Sequence, residues 1–294
     1  MNRYKTPLRY PGGKQRLAPF VLEVMAENGL VGGDYVEPYA GGAGVAMELL
    51  LNGDVAQVHL NDASPALYAF WKAMLEHPEE FCRRISGASL TVEEWKRQKQ
   101  ILAAPESADL MDLGFSLFFL NRCNRSGIPS GGIIGGLDQT GRWKMDARFT
   151  RTALIARVEA IASRRDRIQV TGMDAEDFII NVLPRLPKKS LVYLDPPYFK
   201  KANRLYLNHY TPEDHARIAK VIQKKINIPW IVSYDCAPEI LSHYATCQFF
   251  LYDLQYTAGK AYRGREAFFF SDRLRLPDSS EIPALNAALQ GEVA

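Results

Sequence analysis

The feature that most constrains this 294-residue chain is its alternation of short apolar runs with amphipathic stretches. The runs, closed by polar or turn residues, fall at Asp34 to Glu37, Gln57 to Leu60, Arg167 to Thr171, Ser190 to Leu194 and Trp230 to Ser233. Runs this short and this apolar read as strands covered on both faces, the pattern of a parallel sheet. Helical patterns lie at Gln15 to Asn28, Ala43 to Leu51 and Ser64 to Leu75, the last opened by Ser64 as N-cap and Pro65 at the first helical position. Thr211-Pro212-Glu213-Asp214 supplies a cap, a first-turn proline and two acids for a helix reaching about Ile226, just before the Trp230 strand. Two further strands are expected at Gln248 to Leu254 and Glu266 to Ser271. Strands alternating with helices imply an α/β doubly wound sheet with helices on both faces.

The alternation breaks between Glu76 and Thr150. Thr91 with Glu94 forms a capping box, Leu110 to Asn121 has a helical pattern, and Ser126 to Gly141 is a glycine-rich loop. We therefore expect 1–75 and 151–294 to form one α/β domain and 76–150 to be a helical insert. At roughly 150 residues per domain the length allows this division. An apolar content of 47% and a charged content of 23% exclude disorder, collagen and coiled coil. No apolar run approaches the roughly 18 residues of a membrane span, and Met1 to Lys5 leads into no signal-like stretch, so a cytoplasmic protein away from membranes is expected. The four cysteines form no CxxC pair and five scattered histidines complete no zinc spacing, so no metal is expected.

Three segments carry chemistry. Glu37-Pro38-Tyr39-Ala40-Gly41-Gly42-Ala43-Gly44 is a strand end running into a glycine turn that opens a helix, where a ligand can approach the backbone at the carboxyl edge of the sheet. The next strand ends in Asn61-Asp62, an acid suited to a ribose diol. Met47 stands where a third dinucleotide glycine belongs, which disfavours a nicotinamide cofactor. The segment Arg9-Tyr10-Pro11-Gly12-Gly13-Lys14-Gln15 is no Walker motif, but places a lysine able to hold a carboxylate beside an aromatic. The sharpest segment is Leu191 to Leu194 delivering Asp195-Pro196-Pro197-Tyr198. An aspartate oxygen and a proline carbonyl are two acceptors for a planar amino group with two N–H donors, and the tyrosine can stack on its ring. Such an amine is a poor nucleophile because its lone pair is delocalised. A fixed acceptor pair and in-line positioning would supply the catalysis without a strong base.

With these residues the chain resembles the Dam-type (D12 class, alpha group) DNA adenine N6-methyltransferases. The Gly-Gly-Lys segment, the glycine turn, the insert and Asp-Pro-Pro-Tyr follow in the family's order. The resemblance implies a Rossmann-like methyltransferase sheet, an inserted helical target-recognition domain at 76–150, S-adenosylmethionine as cofactor and double-stranded DNA as partner. It further implies cofactor contacts by Tyr10, Lys14, Glu37, Pro38, Tyr39, Gly41, Gly42, Gly44, Asp62, Asp174 and Asp195, with Asp177 a rival for Asp174. Asp195, Pro196, Pro197 and Tyr198 would be the catalytic residues, Tyr198 stacking on the flipped base. Tyr10 stands where the family often has tryptophan, and the glycine turn is richer than usual.

An amine inside a duplex is out of reach of such a site, so the base must be extruded. Net charge is only +3, but 121–170 holds ten Lys and Arg against four Asp and Glu, a basic stretch suited to phosphates. Candidate DNA contacts are Arg122, Asn124, Arg125, Arg142 and Lys144 in the insert, Lys200 and Lys201 after the tetrapeptide, and Lys260, Arg263 and Arg265 in a basic loop. The expected function is methylation of adenine N6 in a specific duplex sequence, by a solitary enzyme or one linked to a restriction or phage-defence partner. Cytosine N4, which presents the same two donors, a non-catalytic DNA-binding role, and RNA as substrate remain the alternatives.

Overall fold

A computed structural model describes residues 5–9, 14–199, 210–256 and 262–277, with the backbone alone for 253–256 and 262–264. Seven strands form one sheet: β1 (Asp34–Glu37), β2 (Gln57–Asn61), β3 (Ile168–Thr171), β4 (Ser190–Leu194), β5 (Trp230–Asp235), β6 (Gln248–Tyr256) and β7 (Tyr262–Phe270). Their order is β3-β2-β1-β4-β5-β7-β6. The first five are parallel, with Val36 beside His59 and Asp34 beside Ser190, and β7 inserts antiparallel between β5 and β6. The winding reverses between β1 and β4, which opens a crevice at their carboxyl ends.

Helices α1 (Ala18–Glu27), α2 (Gly44–Asn52), α3 (Pro65–Glu76), α4 (Pro78–Gly87), α5 (Val92–Ala103), α6 (Leu110–Cys123) and α7 (Arg151–Ala162) share one core cluster with Tyr35, Leu60, Leu191, Tyr193, Phe268 and Phe270. The other face carries α8 (Ala175–Asn181), α9 (Pro212–Lys225) and α10 (Pro238–His243) on Val36, Val192, Leu194, Val232 and Phe269. Neighbouring residues of β4 thus enter opposite cores, as a strand's two-residue period requires. No helix among the described residues is long and apolar enough to cross a membrane.

Two boundaries differ most from expectation, for local reasons. The first helical segment splits into a tight turn at Lys14–Leu17 followed by α1, because Pro19 can sit only in a first helical turn. Strand β7 starts four residues before Glu266, its polar start showing no apolar run. Within 76–150 lie α4, α5, α6 and the glycine loop. Helix α6 is buried from Leu113 to Cys123 and packs on α3, where a Cβ at Gly114 would meet the Ala69 carbonyl oxygen at 2.6 Å. Phe81, Phe118 and Phe149 stack edge-on there, with centroids 5.4 Å apart for Phe81 and Phe118.

Candidate active site

Each parallel strand delivers a polar residue to the crevice. Asn61, fully buried at the end of β2, donates its amide to the carbonyls of Pro38 and Met173 and accepts from Thr171 Oγ1 and the Met173 N–H. One side chain thereby ties together the loops after β1, β2 and β3. Asp62 follows it: Oδ2 accepts the Gly41 N–H at 2.9 Å and Oδ1 the Ser64 N–H at 2.9 Å. Burial raises its pKa, and these two backbone donors moderate the rise. A carboxylate has about four lone-pair sites, so two acceptor positions remain for a diol. The glycine turn puts Gly41 and Ala43 in the left-handed region, at φ 46° and 45°, and Gly44 opens α2.

Glu37 ends β1 buried, its Oε1 accepting the Ala46 N–H at 3.2 Å. Burial pushes its carboxyl up to about 8, so it carries a proton at neutral pH. Tyr39 bonds through its hydroxyl to Tyr210 at 2.9 Å.

Asp195 leaves β4 with a side chain 17% exposed. Its Oδ1 accepts Ser233 Oγ at 2.7 Å and lies 3.3 Å from Lys14 Nζ, and among the described residues nothing bonds Oδ2. Tyr193 OH in turn donates to Ser233 Oγ at 2.9 Å. Lys14 Nζ is closer to Glu266 Oε2, at 2.5 Å. Glu266 is a fully buried carboxylate that also accepts the hydroxyls of Tyr198, at 2.5 Å, and Tyr252. Burial alone would lower Lys14, but Asp195 and Glu266 hold its pKa well above the lysine range. Of the two carboxylates, Asp195 is raised by burial, whereas Lys14 and the two tyrosine hydroxyls overcome burial at Glu266 and lower it. The ammonium therefore belongs more to Glu266.

Beyond the tetrapeptide, the Phe199 N–H donates to Asp235 Oδ1 at 2.8 Å. Phe199 and Tyr210 both pack on the buried His215, with centroids 5.1 and 5.4 Å away, and His215 Nδ1 lies 3.0 Å from Tyr234 OH.

The structure brings together Lys14, Glu37, Pro38, Tyr39, Gly41, Gly42, Gly44, Asp62 and Asp195-Pro196-Pro197-Tyr198 at the strand ends. Asp174 is an exposed N-cap of α8, bonding the Glu176 N–H at 2.8 Å, and Asp177 is exposed one turn on. Tyr198 departs from the expectation of an open stacking platform. It is 3% exposed, its hydroxyl is held by Glu266, and Lys14 Nζ lies 5.5 Å from its ring centroid.

Two expected DNA contacts are corrected. Arg122 is 8% exposed and donates to the Arg148 carbonyl, and burial together with Arg157, Arg9 and Arg148 lowers its pKa to about 9. Asn124 is fully buried, donating to the Ile128 and Pro129 carbonyls and accepting from Trp95 Nε1. Both side chains brace the interior of segment 76–150. Arg125, Arg142, Lys144 and Arg265 are exposed, as are Trp143 and Leu137 at 64% and 61%, with Arg142 over the Trp143 ring. Arg263 lies in β7 with its side chain outside the description, and Tyr10, Lys200, Lys201 and Lys260 lie outside the described residues. Sequence reasoning missed Ser233, Asp235, Asn61 as a tie, and Glu266, whose only signal is a lone acid opening the run Ala267 to Phe270.

No curated protein matches the chain. Similar solved structures include a candidate RNA methyltransferase from Pyrococcus horikoshii, 10% identical over 90% of this chain and 86% of that chain, with a TM-score of 0.42. A protein from Legionella pneumophila is 10% identical over 93% and 92%, with a TM-score of 0.37. A candidate methyltransferase complexed with SAH is 12% identical over 88% of this chain and 54% of that one, with a TM-score of 0.35. The family model described as D12 class N6 adenine-specific DNA methyltransferase matches residues 10–257, an extent that takes in the glycine turn, Asp62, the helical segment and the Asp195 tetrapeptide. By that match the chain belongs to the D12 class N6 adenine-specific DNA methyltransferase family.

Proposed function

We propose that this protein methylates adenine N6 within a specific double-stranded DNA sequence, the target base being extruded into the pocket of Asp195, Pro196, Pro197 and Tyr198. The observation that carries this reading is Asp195 at the sheet's switch point, with Oδ1 held by Ser233 and Lys14 and Oδ2 open among the described residues. An open carboxylate oxygen accepts one N–H of the target amine and orients its nitrogen for attack.

The donor is S-adenosylmethionine, which supplies an electrophilic methyl group on a sulfonium. The residues fit it: Asp62 keeps acceptor capacity for a ribose diol, Glu37 and Tyr39 line the turn, and the Gly41-Gly42-Ala43-Gly44 backbone allows close approach. When N6 gains the methyl group it becomes cationic and sheds a proton, and Asp195 stabilises that charge and can take the proton on towards solvent. Asp174 serves the cofactor from the loop after β3.

Residues 1–75 and 151–294 form the catalytic unit in this reading, and 76–150 recognises the target. Arg125, Arg142 and Lys144 meet phosphates or base edges beside Trp143, since all are exposed on one loop region. Extrusion of the base costs a few kcal/mol, offset by such contacts.

The test is transfer of labelled methyl from S-adenosylmethionine to unmethylated duplex DNA, with the product nucleoside identified by mass. N6-methyladenine is expected; N4-methylcytosine, or product on RNA alone, overturns the reading. Asp195→Ala should lower kcat by at least about 10³-fold with an unchanged Tm, because Glu266 still pairs Lys14.

A further inference from the structure

The site contains one charge too many for a simple acceptor pocket. Asp195 is met by a buried ammonium, Lys14 Nζ, at 3.3 Å. An ammonium seated fully on that carboxylate would compete with the neutral target amine, because charge-assisted bonds are roughly twice as strong as neutral ones. Glu266 prevents that seating. It enters from β7, opposite Asp235 on β5 and Tyr252 on β6, and takes Lys14 at 2.5 Å, nearer than Asp195 does. Its other oxygen fixes the Tyr198 hydroxyl at 2.5 Å. A carboxylate with no side-chain exposure is costly to bury unless several donors satisfy it, and Lys14, Tyr198 and Tyr252 do so here. Ser233 and Lys14 then share Oδ1 of Asp195, and among the described residues Oδ2 stays open.

Resting on the reading of Asp195 as the amine acceptor, we infer that Glu266 is a positioning residue for methyl transfer. By drawing the Lys14 ammonium away from Asp195 and anchoring the Tyr198 hydroxyl, it keeps one oxygen of Asp195 open to the target amine. Lys14 then acts as a counter-charge shared between two carboxylates. Among the described residues, the groups facing Asp195 are Lys14 from the N-terminal turn, Glu266 from β7, Glu37 and Tyr35 from β1, Tyr193 from β4 and Tyr234 from β5. Of these only Lys14 is cationic.

The experiment compares wild type, Glu266→Gln, Lys14→Gln and the double variant in DNA adenine methylation at saturating S-adenosylmethionine and DNA, across pH 5 to 9. Glutamine keeps the volume and an acceptor oxygen but no charge, so Lys14 moves onto Asp195. The kcat of Glu266→Gln should fall on the order of 10²-fold, with cofactor and DNA dissociation constants changed by less than about threefold. The acid limb of kcat should move to lower pH by about one unit, because a negative charge that favours protonation of Asp195 has gone. The double variant, with no ammonium left to seat on Asp195, should match or exceed the kcat of Glu266→Gln.

A fall in kcat with an unmoved acid limb would show Glu266 to be mere packing. A double-variant loss equal to the product of the two single losses overturns the inference as well, and it is readable even if Glu266→Gln alone folds poorly, since the double variant removes the ammonium together with the carboxylate that holds it. A wild type that methylates no adenine sinks the reading beneath it. An active wild type, an inactive Asp195→Ala and an unaffected Glu266→Gln sink this inference alone.

Discussion

Burial of single ionisable groups sets the chemistry of this crevice, and Glu37 makes that measurable. Its folded pKa of about 8 stands above the ordinary glutamate value of 4.5. The folded state therefore holds a proton that the unfolded state releases across this interval, and stability falls as pH rises from about 4.5 to 8. At about 1.4 kcal/mol per unit the whole interval is worth at most about 5 kcal/mol. Glu37→Gln keeps an acceptor for the Ala46 N–H and cannot ionise. Urea unfolding at pH 5, 6, 7 and 8 without cofactor should give the variant a flatter dependence than wild type; parallel curves would refute the assignment. Glu37, Asp62 and Asp195 could be picked out in the sequence because each closes an apolar run. Glu266 could not, because its partner Lys14 lies 252 residues away and no local pattern marks so distant an ion pair.

Among the elements, the contact of α3 with α6 tolerates no added atom. Gly114→Ala places a methyl group 2.6 Å from the Ala69 carbonyl oxygen and 2.8 Å from Phe70 Cα, which forces the helices apart at a cost of about 1–3 kcal/mol. Its Tm should drop by several degrees, whereas Gly87→Ala at the end of α4, with nothing within 4 Å of the new atom, should not lower it. Equal Tm values would show that α6 adjusts freely. The parallel strands were legible within two residues because strands covered on both faces are short and largely apolar. The first half of β7 was not, since Tyr262-Arg263-Gly264-Arg265 has the composition of a loop and becomes a strand only by pairing with β6 from Tyr256 to Asp253. A bond pattern hidden in the same way joins α6 to the N-terminal segment: Asn121 accepts the Arg9 N–H at 2.7 Å and donates to the Arg9 and Gly127 carbonyls.

For the molecule as a whole, the basic stretch from 121 to 170 divides by depth, which composition cannot show. Arg122 faces inward and Arg142 and Lys144 outward. Arg142→Ala and Lys144→Ala should each weaken DNA binding and reduce the slope of log K against log salt by about 0.9 for each phosphate no longer neutralised. Arg122→Ala should lower Tm and leave the slope alone, because it removes an internal bond to the Arg148 carbonyl. Titrations at several salt concentrations separate these outcomes, and an unchanged slope in both surface variants would place the DNA elsewhere. The antiparallel insertion of β7 also bears on synthesis. Lys14 leaves the ribosome 252 positions ahead of Glu266, an interval of roughly 10–50 s at elongation rates of about 5–20 residues per second. For that time the nascent polypeptide carries its lysine without its deepest counter-ion, so the site cannot be complete before β7 has been made.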